Sequence, residues 1–409
     1  MIVLRALAMI FIAAWTLPHY NAQLNPVLSG PDIAGTWTFQ MGEGTSTVPT
    51  VDGHTVFLAS NDNNVYALDI RTGALKWKTS APDDVMTAPL AYKGVVIVGT
   101  GNSTSSIWNP PKHIIVGTGE NELLGLRERD GKVLWTYRLA GTGMPSGAIV
   151  GNLYVHHDGA GNVIALEPRT GKVVWKRNVR SVAAMSAIAP AANGLLLTSG
   201  VAPPAIIAVH EQNGKIAWMH KLPPSSSGTA DTPIAGDGDG YAASMYLLPN
   251  DPARTYTYTD VAVTQHVIAL NAKSGAVRWD VPVEQGVLHT KNWASIPVLA
   301  HGRLYIGSEL KPYMHGLDAS NGRELWRTKV NGLVQSGSVY KDGILYFGDS
   351  SGMLWALDAA NGAVLGSKQF DEKFRVGSPI IVGDKLIIGS NDGTVYSVPL
   401  SSITSSHDA

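Results

Sequence analysis

The stretch VIALEPRTGKVVW (163–175) decides the architecture. It reads as a β-rich run, a Thr-Gly turn whose glycine accepts positive φ, and a second run ending in tryptophan, which is the signature of a hairpin. The pattern returns as VYALDIRTGALKW (65–77), LLGLRERDGKVLW (123–135), IIAVHEQNGKIAW (206–218), VIALNAKSGAVRW (267–279), MHGLDASNGRELW (314–326) and LWALDAANGAVLG (354–366). Ahead of each copy lies a second pair of β-rich runs, such as GVVIVGT (94–100), GRLYIGS (302–308), GILYFGD (343–349) and DKLIIGS (384–390). One repeat is therefore four short antiparallel strands. Such units at a period of about 40 residues predict a β-propeller, an all-β fold in which each sheet buries both faces against its neighbours.

The chain ends set the blade count. The last repeat stops after its third strand, while GTWTF (35–39) is a tryptophan-bearing strand without a unit of its own. Joining the two gives eight blades, the last closed by strands from both termini, with seven as the rival count. The reading is of one propeller domain over 24–400 and a flexible tail over 401–409.

Composition narrows the chemistry. Among 409 residues there is no cysteine, which excludes disulfides, thiolate metal sites, a cysteine nucleophile and a lipid-attachment cysteine. Lys+Arg 31 against Asp+Glu 32 leaves no basic surface for nucleic acid. Arg5 followed by an apolar run over 6–17 reads as an export signal, residues 1–23, or as an uncleaved N-terminal anchor. That run is short of the about 20 residues of a membrane span, and no later segment is apolar enough to cross a bilayer. The expected location is periplasmic or secreted.

The pattern A-L-D-x-x-T/N-G-x-x-x-W resembles the pyrroloquinoline quinone (PQQ) repeat of quinoprotein alcohol dehydrogenases and of the outer-membrane assembly protein BamB, over nearly the whole mature chain. That resemblance implies one tryptophan docked between each pair of blades. It leaves three functions open, because fold alone does not fix function: a binding or assembly scaffold, a cofactor-free hydrolase resembling tetrathionate hydrolase, and a PQQ-dependent oxidoreductase. The dehydrogenases carry a His-Asp-x-Trp-Asp segment, and many place a vicinal disulfide over the quinone. The nearest stretch here, His289-Thr290-Lys291-Asn292-Trp293-Ala294, has its tryptophan one position late and alanine in place of the second aspartate. The expectation is therefore a scaffold without bound quinone or metal, and PQQ with calcium is disfavoured. Its expected partner is an envelope protein or a small anionic ligand.

Antiparallel order puts the blade-to-blade links and the turns between strands two and three on one rim, with the Thr-Gly and Asn-Gly turns on the other. Two insertions, 102–120 and 249–264, rise on the first rim, where binding usually lives. For an enzyme the candidate catalytic groups are Asp231, His289 and Lys291; the candidate binding rim is His156, His157, Asp158, Asn292, Trp293, Glu309, Lys311 and Arg375. Asp83, Asp84 and Lys373 lie in links on the same rim. For a scaffold, Trp108, Tyr256 and Tyr258 on the insertions are the expected partner contacts. Adjacent histidines 156 and 157 have no face-sharing metal spacing, and Asp237-Gly-Asp239 reads as a turn and not a calcium loop.

Overall fold

The computed structural model describes residues 24–405 apart from 32, 34, 46, 102–106, 110–113, 117–119, 184–185, 228–233, 237, 248–260, 290–295 and 375–376. The segment read as an export signal lies outside these residues, and among them no helix is long and apolar enough to cross a membrane. Seven four-stranded antiparallel sheets and one five-stranded sheet make eight blades, at 50–80, 90–138, 148–178, 189–221, 235–288, 298–329, 339–369 and, with both chain ends, 380–399. Eight apolar clusters lie between successive blades, the last joining Ile380 and Ile387 of blade 8 to Val56 and Leu58 of blade 1. The ring is thus a closed eight-bladed propeller, and its core lies in the seams.

The repeat residues explain each seam. Trp175 lies over Gly171's counterpart in the next blade: a Cβ on Gly214 would meet the indole at 2.4 Å, and Gly214 itself has φ +68°. Only glycine provides both that backbone angle and that closeness. The Trp175 Nε1–H donates to the Glu211 carbonyl at 3.1 Å. Trp37, Trp77, Trp135, Trp218, Trp279 and Trp326 donate in the same way to Ile70, Glu128, Pro168, Ala272, Ala319 and Ala359. On the neighbouring strand the residue opposite the indole is small, Ala165 for Trp175 and Gly125 for Trp135, so the ring can fold flat over it.

The closing blade has more strands than the sequence reading assigned it. Trp37–Gln40 pairs antiparallel with Thr394–Pro399 at the outer edge, as expected, but Val27–Leu28 also adds a parallel strand inside Ile380–Val382. The Asn25 side chain fixes that strand to blade 7, donating to the Tyr340 carbonyl at 2.9 Å and accepting from its N–H at 2.7 Å.

Residues 401–409 do not begin as a free tail. Leu400–Thr404 is a short helix with Ile403 fully buried. It stands where an eighth docking tryptophan would lie, since a Cβ on Gly366 would meet the Ile403 carbonyl oxygen at 2.3 Å. Blade 8 has no hairpin between its third and fourth strands, so a tryptophan at 366 would find no turn to dock on.

The insertions differ in form. Within 102–120, Ile107–Asn109 and Ile114–Val116 pair as a separate two-stranded ribbon. The second insertion is shorter than 249–264, because Val261–Asn271 already belongs to the sheet, and blade 5 extends through strands of nine, eleven and twelve residues. Met245, Val261, Val263 and Leu288 form a small core in that extension.

Trp175→Ala should lower stability by about 3–5 kcal/mol, the usual range for a truncated core aromatic; a loss under about 1 kcal/mol in a denaturant titration would contradict the dock. Gly366→Trp should destabilise by about 1–3 kcal/mol through overpacking against the C-terminal helix. An unchanged midpoint would mean that the helix does not hold that seam.

Candidate functional site

Turns between strands two and three rest on the links of the same rim: Gly101 N–H donates to the Asp84 carbonyl at 3.2 Å, Gly159 to Thr142 at 2.9 Å and Asn391 to Lys373 at 3.0 Å. The shared rim inferred from strand order is therefore the observed one. What it exposes differs from the expectation. His156, His157 and Asp158 are all fully buried, so they are seam residues and not a displayed binding surface. His157 occupies the place held by Gly99, Gly307 and Gly348 in other blades, where a Cβ would strike the adjacent link. In blade 3 the imidazole fills that gap, with Nδ1 2.9 Å from Thr198 Oγ1 and Nε2 3.0 Å from the Ser181 carbonyl oxygen of the link to blade 4. His156 faces the other way and stacks on Tyr154, the ring centroids 6.1 Å apart, and neither of its ring nitrogens has a hydrogen-bond partner among the described residues. Asp158 holds its own turn, accepting from the N–H groups of Ala160 at 2.9 Å and Asn162 at 2.8 Å. Asp349 does the same in blade 7.

Lys311 belongs to a polar cluster in the seam between blades 5 and 6. Its Nζ lies 2.7 Å from Glu284 Oε1, and His315 Nδ1 lies 2.9 Å from Glu324 Oε2. Burial works to raise the Glu284 pKa, but the Lys311 ammonium and the Gln285 N–H outweigh it and hold the group below its ordinary value. Burial pushes His315 down against the pull of Glu324 and Glu284. Glu309 is buried beside these residues in sequence, at 4% exposure, so it too is not presented to solvent. Sequence reading missed Glu284, His315 and Gln265, which donates to the Gly307 carbonyl at 3.0 Å. For Glu284 the signal was its place in VRWDVPVEQGVL (277–288), where it is buried among strand residues that otherwise turn their polar side chains outward.

The links on either side of blade 1 carry Glu43, Asp83 and Asp84, close enough for their carboxylates to interact. Burial, then the Asp83 and Glu43 carboxylates, push Asp84 up to about 6, so it holds a proton at mildly acidic pH. His289 is exposed on the link to blade 6. Asp231, Lys291, Asn292, Trp293, Arg375, Tyr256 and Tyr258 lie outside the described residues, and Trp108 sits in the ribbon opposite Ile115. Among the described residues no three His, Asp or Glu side chains converge as metal ligands. Asp239 accepts from Arg278 at 2.8 Å, an ion-pair role within its own blade.

The buried histidines make stability pH-dependent. Burial lowers His156 to about 3 and His157 to about 4, against 6.5 ordinarily. The unfolded chain therefore takes up protons first, and stability is complete above pH about 6.5 and falls as pH drops towards 4 and 3. His156→Leu should flatten this decline and gain about 1 kcal/mol at pH 7 by removing an unsatisfied buried polar group. Denaturant midpoints from pH 7 to 4 read both effects, and a variant more acid-sensitive than the parent would refute the assignment.

Comparison with known proteins places this geometry. The sequence profile described as outer membrane protein assembly factor BamB matches residues 32–182, 110–245 and 253–402. Tetrathionate hydrolase of Acidithiobacillus ferrooxidans is 25% identical over 375 residues, spanning 88% of this chain and 74% of that protein. BamB of Shewanella oneidensis is 23% identical over 382 residues, spanning 90% of this chain and 89% of its own length. Among solved structures, BamB of Moraxella catarrhalis superposes with a TM-score of 0.63 at 17% identity, covering 88% of this chain and 98% of that one. Quinohemoprotein alcohol dehydrogenase of Comamonas testosteroni reaches 0.66 at 12% identity over 94% of this chain and 80% of that one. Those superpositions speak for the fold alone. The profile match spans most of the chain, and with the eight docked blades it means that this protein belongs to the BamB family of PQQ-repeat propellers.

Proposed function

We propose that the protein is an exported binding scaffold of the cell envelope that works without a quinone and grips protein partners through the outer circumference of its ring. The observation that carries this reading is a belt of exposed aliphatic side chains on the outermost strands. Val174 is 55% exposed, Leu75 48% and Leu134 44%, and Val133, Val173, Ile216, Val277 and Leu325 join them, each within two residues of a docking tryptophan. Among the described residues the outermost strands of blades 1 to 7 pair on one side only. An apolar strand edge of this kind suits addition of an extended partner segment. Similarity to proteins named as assembly factors supports a protein partner. Export rests on Arg5 and the apolar run that follows it.

The residues fit a PQQ-and-calcium site poorly. There is no cysteine for a disulfide over the ring, and Ala294 stands where the dehydrogenase segment has its second aspartate. A hydrolase is the second reading, favoured by the similarity to tetrathionate hydrolase and by Asp84 near 6 on the link rim. In that reading Asp231, His289 and Lys291 are the groups that handle protons and the anionic substrate. The two histidines buried neutral in blade 3 weigh against a strongly acidic working compartment, because acid erodes the seams they occupy.

Two measurements separate the readings. In fluorescence anisotropy, the protein should bind a urea-unfolded outer-membrane β-barrel protein on dilution, and Leu134→Glu/Val174→Glu/Val277→Glu should weaken binding by about tenfold or more. Asp231→Asn/His289→Gln/Lys291→Gln should leave it within about twofold, as loop charges contribute little. Turnover of tetrathionate by the parent, abolished in the second triple variant, would instead establish the hydrolase.

A further inference from the structure

The rim opposite the insertions carries a cleft of about 530 Å³ between blades 6 and 7, lined by Arg303, His301, Tyr340, Ile344, Asp342 and Leu365 among others. Its size falls in the range of small-molecule sites, roughly 300–1,000 Å³. Two of its residues give it its chemistry. The first residue of the second strand is Arg303 in blade 6, against Thr55, Val95, Leu153, Leu195, Asp239, Ile344 and Lys385 in the other blades, and it is the one guanidinium at that place. The middle of the first strand is Tyr340 in blade 7, against Val51, Ala91, Ile149, Pro190, Leu299 and Ile381 in the other blades whose first strand has three residues. Arg303 and Tyr340 meet across one seam.

The guanidinium is under-used. Arg303 Nη1 donates to the Ala359 carbonyl at 3.2 Å, an oxygen that also accepts from Trp326 Nε1 and from the Tyr305 hydroxyl at 3.2 Å each. A carbonyl has two lone pairs, so the third donor adds little. Arg303 is half-buried and forms no ion pair among the described residues, although two aspartates line the same cleft. Asp358 is engaged by its own turn, accepting from Ala360 N–H at 2.7 Å, and Asp342 is exposed at the lip. Arg303 also meets the Tyr305 side chain, and a half-buried guanidinium whose remaining N–H donors have no carboxylate among the described residues matches a carboxylate. The wall beside it is flat and aromatic: Tyr340 lies parallel to Tyr305 with centroids 6.2 Å apart at 9°, and His301 leans on Tyr340 at 5.2 Å. Ile344 and Leu365 close the other side.

We propose that this cleft binds a small aromatic carboxylate, its anion on Arg303 and its ring against Tyr340. The full-length protein is titrated calorimetrically with benzoate, cyclohexanecarboxylate and benzylamine, and ring contact is followed by saturation-transfer NMR. Benzoate should bind saturably at one site and more tightly than the other two. Arg303→Gln should weaken benzoate by about tenfold or more, since a charge-assisted pair is lost, while Asp342→Asn should tighten it by removing a like charge. If Arg303→Gln unfolds, Arg303→Lys, which keeps the charge without the planar fork, should still weaken binding. Absence of saturable benzoate binding, equal affinity in the folded Arg303 variant, or preference for benzylamine would each overturn the site and leave Arg303 as a staple between blades. Equal binding of cyclohexanecarboxylate would overturn the aromatic requirement.

Discussion

An indole lying on a glycine fastens each of blades 1 to 6, and the closing strand of blade 8, to the blade that follows. The contact needs three residues at once: the tryptophan, a small residue opposite it on the adjacent strand, and a turn glycine with positive φ in the next blade. Because the same hairpin both gives a tryptophan to one seam and takes one at the other, each of blades 1 to 6 is held in this way at both faces. No single seam closes the ring, but an error in the hairpin is felt in two of them.

Closure forces the exceptions. A ring sealed by both chain ends has one blade whose third and fourth strands are not consecutive, so it has no hairpin to receive an indole. Gly366 and the Leu400–Thr404 helix are the answer at that seam: the bulky ring is dropped and the chain's own end fills the space. The inner strand Val27–Leu28 is a second closure device, acting at the axis where the ladder of Ile380–Val382 would otherwise be a bare edge.

How far the sequence could be read follows from what each feature repeats. The hairpin copies and the split between Gly35–Phe39 and the last repeat were sufficient for eight blades, since period and turn chemistry are local properties. Gly366 in place of tryptophan carried no signal in the repeat itself, because its meaning depends on a helix more than thirty residues away in sequence. His156 and His157 looked like loop polar residues; they are enclosed because blade 3 lacks the small residue that brings the link close in other blades. Val27–Leu28 is two residues long and parallel, too short for any periodicity to announce. Arg303 and Tyr340 were passed over for a different reason: each sits within a β-rich run, and only the packing of blade 6 on blade 7 brings the two side chains to one cleft.

The parallel pairing of Val27–Leu28 also sets how the ring bears load. The bonds from Ile381 N–H to the Pro26 carbonyl and from Gly383 N–H to Leu28 run across the direction of the chain. Tension drawn along the segment before Val27 is therefore carried in shear by that short ladder and by the Asn25 amide, at the hub and not at the circumference. A tether at this end would pull on the hub of the wheel and not on its outer strands.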